Sequence, residues 1–102
     1  MLKVSNMTSE ASGRKVANQF IIEDGNKTTF QSYSSPIVEI DVENKTLTVY
    51  PHWDYSMTTG KYRNMFMDDY GFYYMSDKKG FEECMKAGKT MRGSIEYVIK
   101  VA

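Results

Sequence analysis

The side chains that most often carry out chemistry in proteins are few and scattered in this sequence of 102 residues. His52 is the only histidine and Cys84 is the only cysteine. A metal site needs several histidine, cysteine or carboxylate ligands at workable spacing, which two residues on unrelated elements do not supply. Cys84 shares an apolar helical face with Phe81 and Met85, as small core residues do. We therefore expect no metal site and no cysteine–histidine nucleophile pair.

Paired carboxylates and glycine loops give no catalytic pattern either. Asp68-Asp69 and Glu82-Glu83 are adjacent on predicted helices, where neighbouring side chains do not face each other. The seven glycines are scattered, and none opens a strand–loop–helix phosphate site. We therefore expect no catalytic residue and no cofactor, and we predict that the protein is not an enzyme.

One segment concentrates side chains that suit binding. Residues 50–74 contain nine of the fourteen aromatic residues, with cations and hydroxyl groups between them. Such a mixture suits stacking on single-stranded nucleic acid, and it equally suits a protein-binding hot spot. Some of these rings must close the core, but a domain of this length cannot bury all of them.

We place the predicted binding surface on Trp53–Asn64. The polar stretch Gln31–Ser35 is expected to line the same surface as Trp53–Ser56. The candidate binding residues are Gln31, Tyr33, Trp53, Tyr55, Ser56, Lys61, Tyr62, Arg63 and Asn64.

The elements that position these residues follow from hydrophobic periodicity, which changes from a strand period to a helix period near Trp53. Strands are predicted on the N-terminal side of Trp53, with Val38, Ile40 and Val42 facing the core. Asp24-Gly25-Asn26 is predicted to be a hairpin turn. The strands are predicted at Leu2–Met7, Lys15–Glu23, Lys27–Tyr33, Ile37–Val42 and Thr46–Tyr50. Helices are predicted near Gly60–Asp69 and Asp77–Ala87, followed by a strand at Ser94–Val101, whereas Phe72–Met75 is either a strand or a connection. Thr58 or Thr59 is the expected N-cap of the first helix and Ser76 that of the second.

These elements predict one α+β domain over residues 1–102. It has a mainly antiparallel sheet of about five to six strands that begins with a meander, and two short helices packed on one face. Thirteen basic and thirteen acidic residues balance, so no overall field attracts the chain to DNA or to an anionic membrane. A single cysteine, and the lack of an apolar run long enough for a signal peptide or a membrane span, predict a cytoplasmic protein without a membrane partner.

Three motifs in order resemble a family of small uncharacterised proteins encoded by bacteriophages and conjugative elements of gut and lactic-acid bacteria. They are VANQFII at Val16–Ile22, FQSYSSPI at Phe30–Ile37 and WDYSMTTGKYRNMF at Trp53–Phe66, and the likeness spans about residues 14–67. The resemblance implies no catalytic residue. It implies an accessory protein of a mobile element that works inside a bacterial host. Proteins of this size in that setting commonly bind single-stranded nucleic acid or block a host protein, and we predict one that binds and blocks a host protein or a nucleoprotein complex, as anti-defence inhibitors do. The alternative is an accessory single-stranded nucleic-acid-binding protein, and the neutral charge favours the inhibitor.

Overall fold

Five strands from the first half of the chain form an antiparallel meander in a computed structural model that describes residues 2–102. They are β1 (Leu2–Thr8), β2 (Lys15–Asp24), β3 (Lys27–Ser32), β4 (Ser35–Asp41) and β5 (Thr46–Val49). The predicted meander is confirmed.

Turn chemistry determines where the meander reverses. Gly25, between β2 and β3, has a φ of 62°, a left-handed conformation that glycine adopts without steric cost. Between β4 and β5, the carboxylate of Asp41 accepts hydrogen bonds from the backbone N–H and the Nδ2 of Asn44, at 3.0 and 2.9 Å. Val42 therefore lies in this turn and is 42% exposed, so its predicted core position is wrong.

Two helices follow the meander. They are α1 (Met57–Asp69) and α2 (Lys78–Ala87), with a 3₁₀ helix at Tyr73–Met75 between them. Both begin at caps that differ from the predicted ones, because Ser56 accepts the N–H of Thr59 and Asp77 accepts the N–H of Gly80. No helix formed by residues 2–102 has the length and apolar composition to cross a membrane.

The second half also adds two strands, β6 (Lys89–Arg92) and β7 (Ile95–Val101). The seven-stranded sheet has the order β1-β2-β3-β4-β5-β7-β6. β7 pairs in parallel with β5 and antiparallel with β6, and every other pair is antiparallel. The predicted last strand is confirmed, whereas β6 is a strand that the sequence did not predict.

The core lies between the helices and one face of the sheet. Phe30 and Val38 are register partners on that face, and the ring of Phe30 stacks on Phe66 of α1 with 5.7 Å between centroids. Near α2, the ring of Phe72 meets Tyr97 of β7 edge to face at 5.0 Å. All five side chains are buried. The result is a two-layer α+β fold, as predicted.

Candidate binding site

Two connecting segments meet beside the start of α1 and enclose a cleft of about 480 Å³. One segment is the β3–β4 turn, and the other is the loop that leads from β5 into α1. We call this site the hydroxyl cleft, because most of the residues that line it carry a hydroxyl group. Its lining residues are Ser32, Tyr33, Ser34, Ser35, Ile37, His52, Tyr55, Ser56 and Thr59.

The β3–β4 turn holds Tyr33 in an unusual backbone conformation at the cleft. Its φ is 57° and that of Asn18 on the neighbouring strand is 65°, values that are uncommon for residues other than glycine. Two hydrogen bonds fix the turn: the N–H of Tyr33 donates to the carbonyl of Asn18 at 2.6 Å, and Gln31 Nε2 donates to the carbonyl of Tyr33 at 3.0 Å. The Tyr33 side chain remains 46% exposed. Because Ser32 and Ser35 are register partners, Tyr33 lies in a two-residue hairpin turn, and the favoured turns of this length require a positive φ.

A chain of hydroxyl groups joins the sheet to α1 along one wall of the cleft. Ser32 Oγ lies 2.8 Å from Thr59 Oγ1, and Ser56 Oγ donates to Thr59 Oγ1 at 3.1 Å. Ser32 and Thr59 are buried, whereas Ser56 is half-buried. These hydrogen-bonded hydroxyl groups therefore extend from the interior towards the cleft surface and fix the distance between β3 and α1.

A buried amide lies next to this wall. Gln19 is the register partner of Ser32 across β2 and β3 and is fully buried. Neither its Nε2 nor its Oε1 has a hydrogen-bond partner among residues 2–102. A buried polar group without a partner costs about 1–3 kcal/mol. The chain therefore keeps a polar residue beside the cleft at a cost in stability.

Arg63 holds the loop that leads into α1 and does not present its charge to solvent. It is 1% exposed, and its Nη1 donates to the carbonyl of Trp53 at 2.9 Å. Its guanidinium carbon lies 5.3 Å from the ring centroid of Trp53 and 5.0 Å from that of Phe81 in α2. Since Trp53 also stacks on Phe81 at 5.2 Å, Arg63 fastens the loop before α1 to both helices.

The charges around Arg63 compensate one another. Asp54 Oδ2 lies 2.8 Å from Lys78 Nζ, and its Oδ1 lies 3.5 Å from Arg63 Nη1. The hydrogen bond from Lys78, together with the positive charges of Lys78 and Arg63, lowers the pKa of the Asp54 carboxyl. Burial lowers the pKa of Arg63 while Asp54 raises it, and a guanidinium remains protonated under such conditions. Asp54 therefore balances the buried charge of Arg63, and the one remaining positive charge of the three groups belongs to Lys78, which is exposed.

The structure separates the predicted binding residues into three groups. Tyr33, Tyr55 and Ser56 line the hydroxyl cleft, and Gln31 supports it through the Tyr33 carbonyl. The expected proximity of the Gln31–Ser35 and Trp53–Ser56 stretches is therefore found.

The other candidates lie elsewhere. Lys61 and Asn64 border a neighbouring hollow of about 660 Å³ that shares Ser56 with the cleft. Trp53 is half-buried against Phe81. Tyr62 and Arg63 are buried, which differs from the surface position expected for them. Ile37 and His52 line the cleft outside both predicted stretches, and Thr59 lies within Trp53–Asn64 without being one of the named candidates. A signal for Thr59 existed in the Ser56–Thr59 spacing, which is that of an N-cap and its third helical residue.

Groups that could hold a metal do not converge within residues 2–102, since no three His, Cys, Asp or Glu side chains come together there. The ring of His52 lies edge-on to Tyr55, with 5.6 Å between centroids. The thiol of Cys84 lies away from the cleft and donates to Thr90 Oγ1 at 3.5 Å. The chemistry that the cleft offers is hydrogen bonding from hydroxyl groups and contact with aromatic rings.

The sequence model of a family of unknown function, DUF8033, matches residues 2–83 of the chain. The matched range contains both segments of the hydroxyl cleft and ends within α2, before β6 and β7. No curated protein and no solved structure matches the chain.

Proposed function

The chain belongs to DUF8033, a family of unknown function, and from its site we propose that it is a non-enzymatic protein that binds a protein partner in the hydroxyl cleft. The observation that carries this proposal is the pair of exposed tyrosines on the cleft, Tyr33 at 46% and Tyr55 at 67% exposure, surrounded by serines. Tyrosine supplies a large contact area at low entropic cost and serine supplies adaptable hydrogen bonds, which is why both dominate antibody paratopes.

The immediate surroundings of the cleft support a protein partner for a second reason. Met57, the first residue of α1, is 94% exposed and adjoins Ser56 at the cleft. Methionine and tyrosine are both enriched in protein interfaces.

Charge favours a protein over single-stranded nucleic acid. Within the described chain, the residues lining the cleft include no lysine or arginine, and the net charge is zero. Lys61 and Lys78 line the neighbouring hollow instead. A strand of phosphates in the cleft itself would find no cation to replace its counterions, and that replacement supplies most of the affinity of sequence-independent binders.

We propose that the protein is an accessory protein of a bacteriophage or another mobile element and acts in the cytoplasm of a bacterial host. Occupation of a host protein or nucleoprotein complex would block that complex, as an anti-defence inhibitor does. The motif resemblance supports this context. A stoichiometric inhibitor needs only a surface that binds its target. The hydroxyl groups and aromatic rings of the cleft are groups that can form such a surface.

The experiment is affinity capture from a bacterial host lysate with three immobilised proteins: the parent chain, Tyr55→Ala and Tyr73→Ala. Tyr73 is also 67% exposed but does not line the cleft, so it is the matched control. We expect one host protein to be captured by the parent and by Tyr73→Ala. Calorimetry with that protein, once purified, should show that Tyr55→Ala weakens binding by about 1–3 kcal/mol, the cost of removing an interface anchor.

Two results would count against this function. Equal capture by all three proteins would mean that the partner binds elsewhere. Tight binding of a single-stranded oligonucleotide, with an affinity that falls steeply with salt and a salt slope reduced by about one unit in Lys61→Ala, would favour the nucleic-acid alternative.

A further inference from the structure

A second surface, which shares no residue with the hydroxyl cleft, follows the outer side of β6. This strand is at the end of the sheet order, with β7 as its neighbour in the described chain. A groove of about 420 Å³ lies between it and α2. We call it the edge groove, and its walls include Tyr74, Glu83, Cys84, Ala87 and Met91.

The backbone of β6 has hydrogen-bonding groups that point into this groove. At the start of the β6–β7 ladder, the N–H of Ile99 donates to the carbonyl of Gly88 at 2.9 Å. Hydrogen-bonded pairs alternate along an antiparallel ladder, so Thr90 also bonds towards β7. The N–H and C=O of Lys89 and Met91 therefore point outward. Such groups are a template for an additional strand.

The walls of the edge groove suit the side chains of an added strand. Ala87 and the half-buried Cys84 form an apolar wall on α2, and Tyr74 is 70% exposed on the other side. Tyr74 and Met91 also border an adjoining hollow of about 390 Å³ that reaches Gly93. The apolar surface thus continues along β6, and alternate side chains of an extended peptide would contact it.

The charges of the edge groove define the peptide further. Glu83, Lys89 and Glu96 are the charged residues that line it. Lys89 Nζ lies 4.0 Å from Glu96 Oε1, whereas Glu83 has no ion pair among residues 2–102. The groove therefore carries one acidic group that a cationic side chain would complement.

We propose that the edge groove binds an extended peptide segment of a partner protein. The peptide adds a strand beside β6, hydrogen-bonds to the backbone of Lys89 and Met91, places apolar side chains against Tyr74 and Ala87, and carries a lysine or arginine opposite Glu83. This surface is independent of the proposed function, since loss of the hydroxyl cleft would leave it intact.

The test is selection of a random library of linear peptides on the immobilised full chain, followed by affinity measurement with two variants at one position. Met91→Pro removes the outward N–H, and proline is tolerated on an edge strand when its position faces away from the ladder. Met91→Val keeps the N–H and an apolar side chain. We expect enriched peptides that contain lysine or arginine, bind Met91→Val normally and bind Met91→Pro about tenfold more weakly, because a peptide carbonyl loses its donor. Glu83→Lys should weaken the same peptides by a similar factor.

Hydrogen exchange of the unaltered chain gives a readout that does not depend on a variant folding. The amides of Lys89 and Met91 should exchange readily in the free protein and become protected when a selected peptide is bound. A failure to enrich peptides, or binding without protection of these two amides, would refute the proposal. So would a concentration-dependent dimer that Met91→Pro abolishes, since a second copy of the chain would then occupy the edge.

Discussion

Truncation of Arg63 to alanine should strongly destabilise the fold, although the sequence presents this residue as a surface cation. The guanidinium is the donor to the Trp53 carbonyl and contacts the rings of Trp53 and Phe81. Its removal opens a cavity between the loop before α1, α1 and α2. The loop that leads into α1, which contributes Tyr55 and Ser56 to the cleft, should lose its hydrogen bond to α1.

The magnitude follows from the contacts that are lost. Leaving the Trp53 carbonyl without its donor costs about 1–3 kcal/mol, and the loss of a desolvated cation–π contact adds about 2 kcal/mol. Part of this is offset because the parent chain already buries the Nε of Arg63 without a partner. Asp54 contributes little, since it is 37% exposed and keeps Lys78 as a partner. The net loss should be about 3 kcal/mol, at the lower end of the range for breaking a buried ion pair.

Urea unfolding followed by tryptophan fluorescence measures this loss, because Trp53 is the only tryptophan and contacts Arg63 directly. With a slope of about 1.5 kcal/mol per molar urea, the unfolding midpoint should fall by about 2 M. Lys61→Ala, an exposed cation on the same helix, is the matched control and should stay within about 0.5 kcal/mol of the parent. A loss below about 1 kcal/mol in Arg63→Ala would refute the supporting role assigned to this residue.

Two further perturbations test the fold at other points. A Cβ on Gly80 would collide with the carbonyl of Tyr74, so Gly80→Ala should lower the free energy of unfolding by about 1–3 kcal/mol. A Cβ on Gly60 meets only ordinary contacts, at 3.7 Å or more. Gly60→Ala should therefore raise the free energy of unfolding by about 0.5–1 kcal/mol. Thermal unfolding of both variants checks this contrast, and equal effects would contradict it. Hydrogen bonds from the Asn44 side chain and backbone lower the pKa of Asp41 below its ordinary value of 3.8. Asp41 therefore stabilises the folded state above that pH. This stabilisation is lost as the pH falls through the lower pKa of the folded state. Urea unfolding at about pH 6 and pH 3 should show a smaller acid loss in Asp41→Asn than in the parent, and an unchanged loss would exclude this contribution.

The local parts of the fold were predictable because their determinants are close in sequence. The β2–β3 hairpin follows from Asp24-Gly25-Asn26, and the end of α2 follows from Gly88, which has a φ of 74°. The cleft could be anticipated in part, because Gln31–Ser35 and Trp53–Ser56 are polar stretches with tyrosines at element ends. Their side chains have few apolar groups to bury, so composition favours exposure of most of them, although Ser32 is buried.

Three features could not be predicted from the sequence, because they depend on residues that are distant along the chain. Arg63 looks like a helix-surface cation, and only the loop carbonyl of Trp53 and the ring of Phe81 make its burial favourable. Similarly, β6 is four residues long with two cations, a pattern without a strand period, and it is a strand because β7 pairs with it. Gly80 is a weak helix former by propensity, and the close approach of Tyr74 explains why it stands there.

The position of β7 has a consequence for how the chain acquires its structure during synthesis. The meander consists of neighbours in sequence, so each hairpin can form as soon as it leaves the ribosome. The partner of β5 is β7, however, and Thr46 pairs with Val98. At a translation rate of about 5–20 residues per second, the open edge of β5 waits for about three to ten seconds before its neighbour is made. During that interval the growing chain has an unpaired strand edge beside the apolar face that the helices later cover. Misassembly is then most favourable, and a chaperone is most needed.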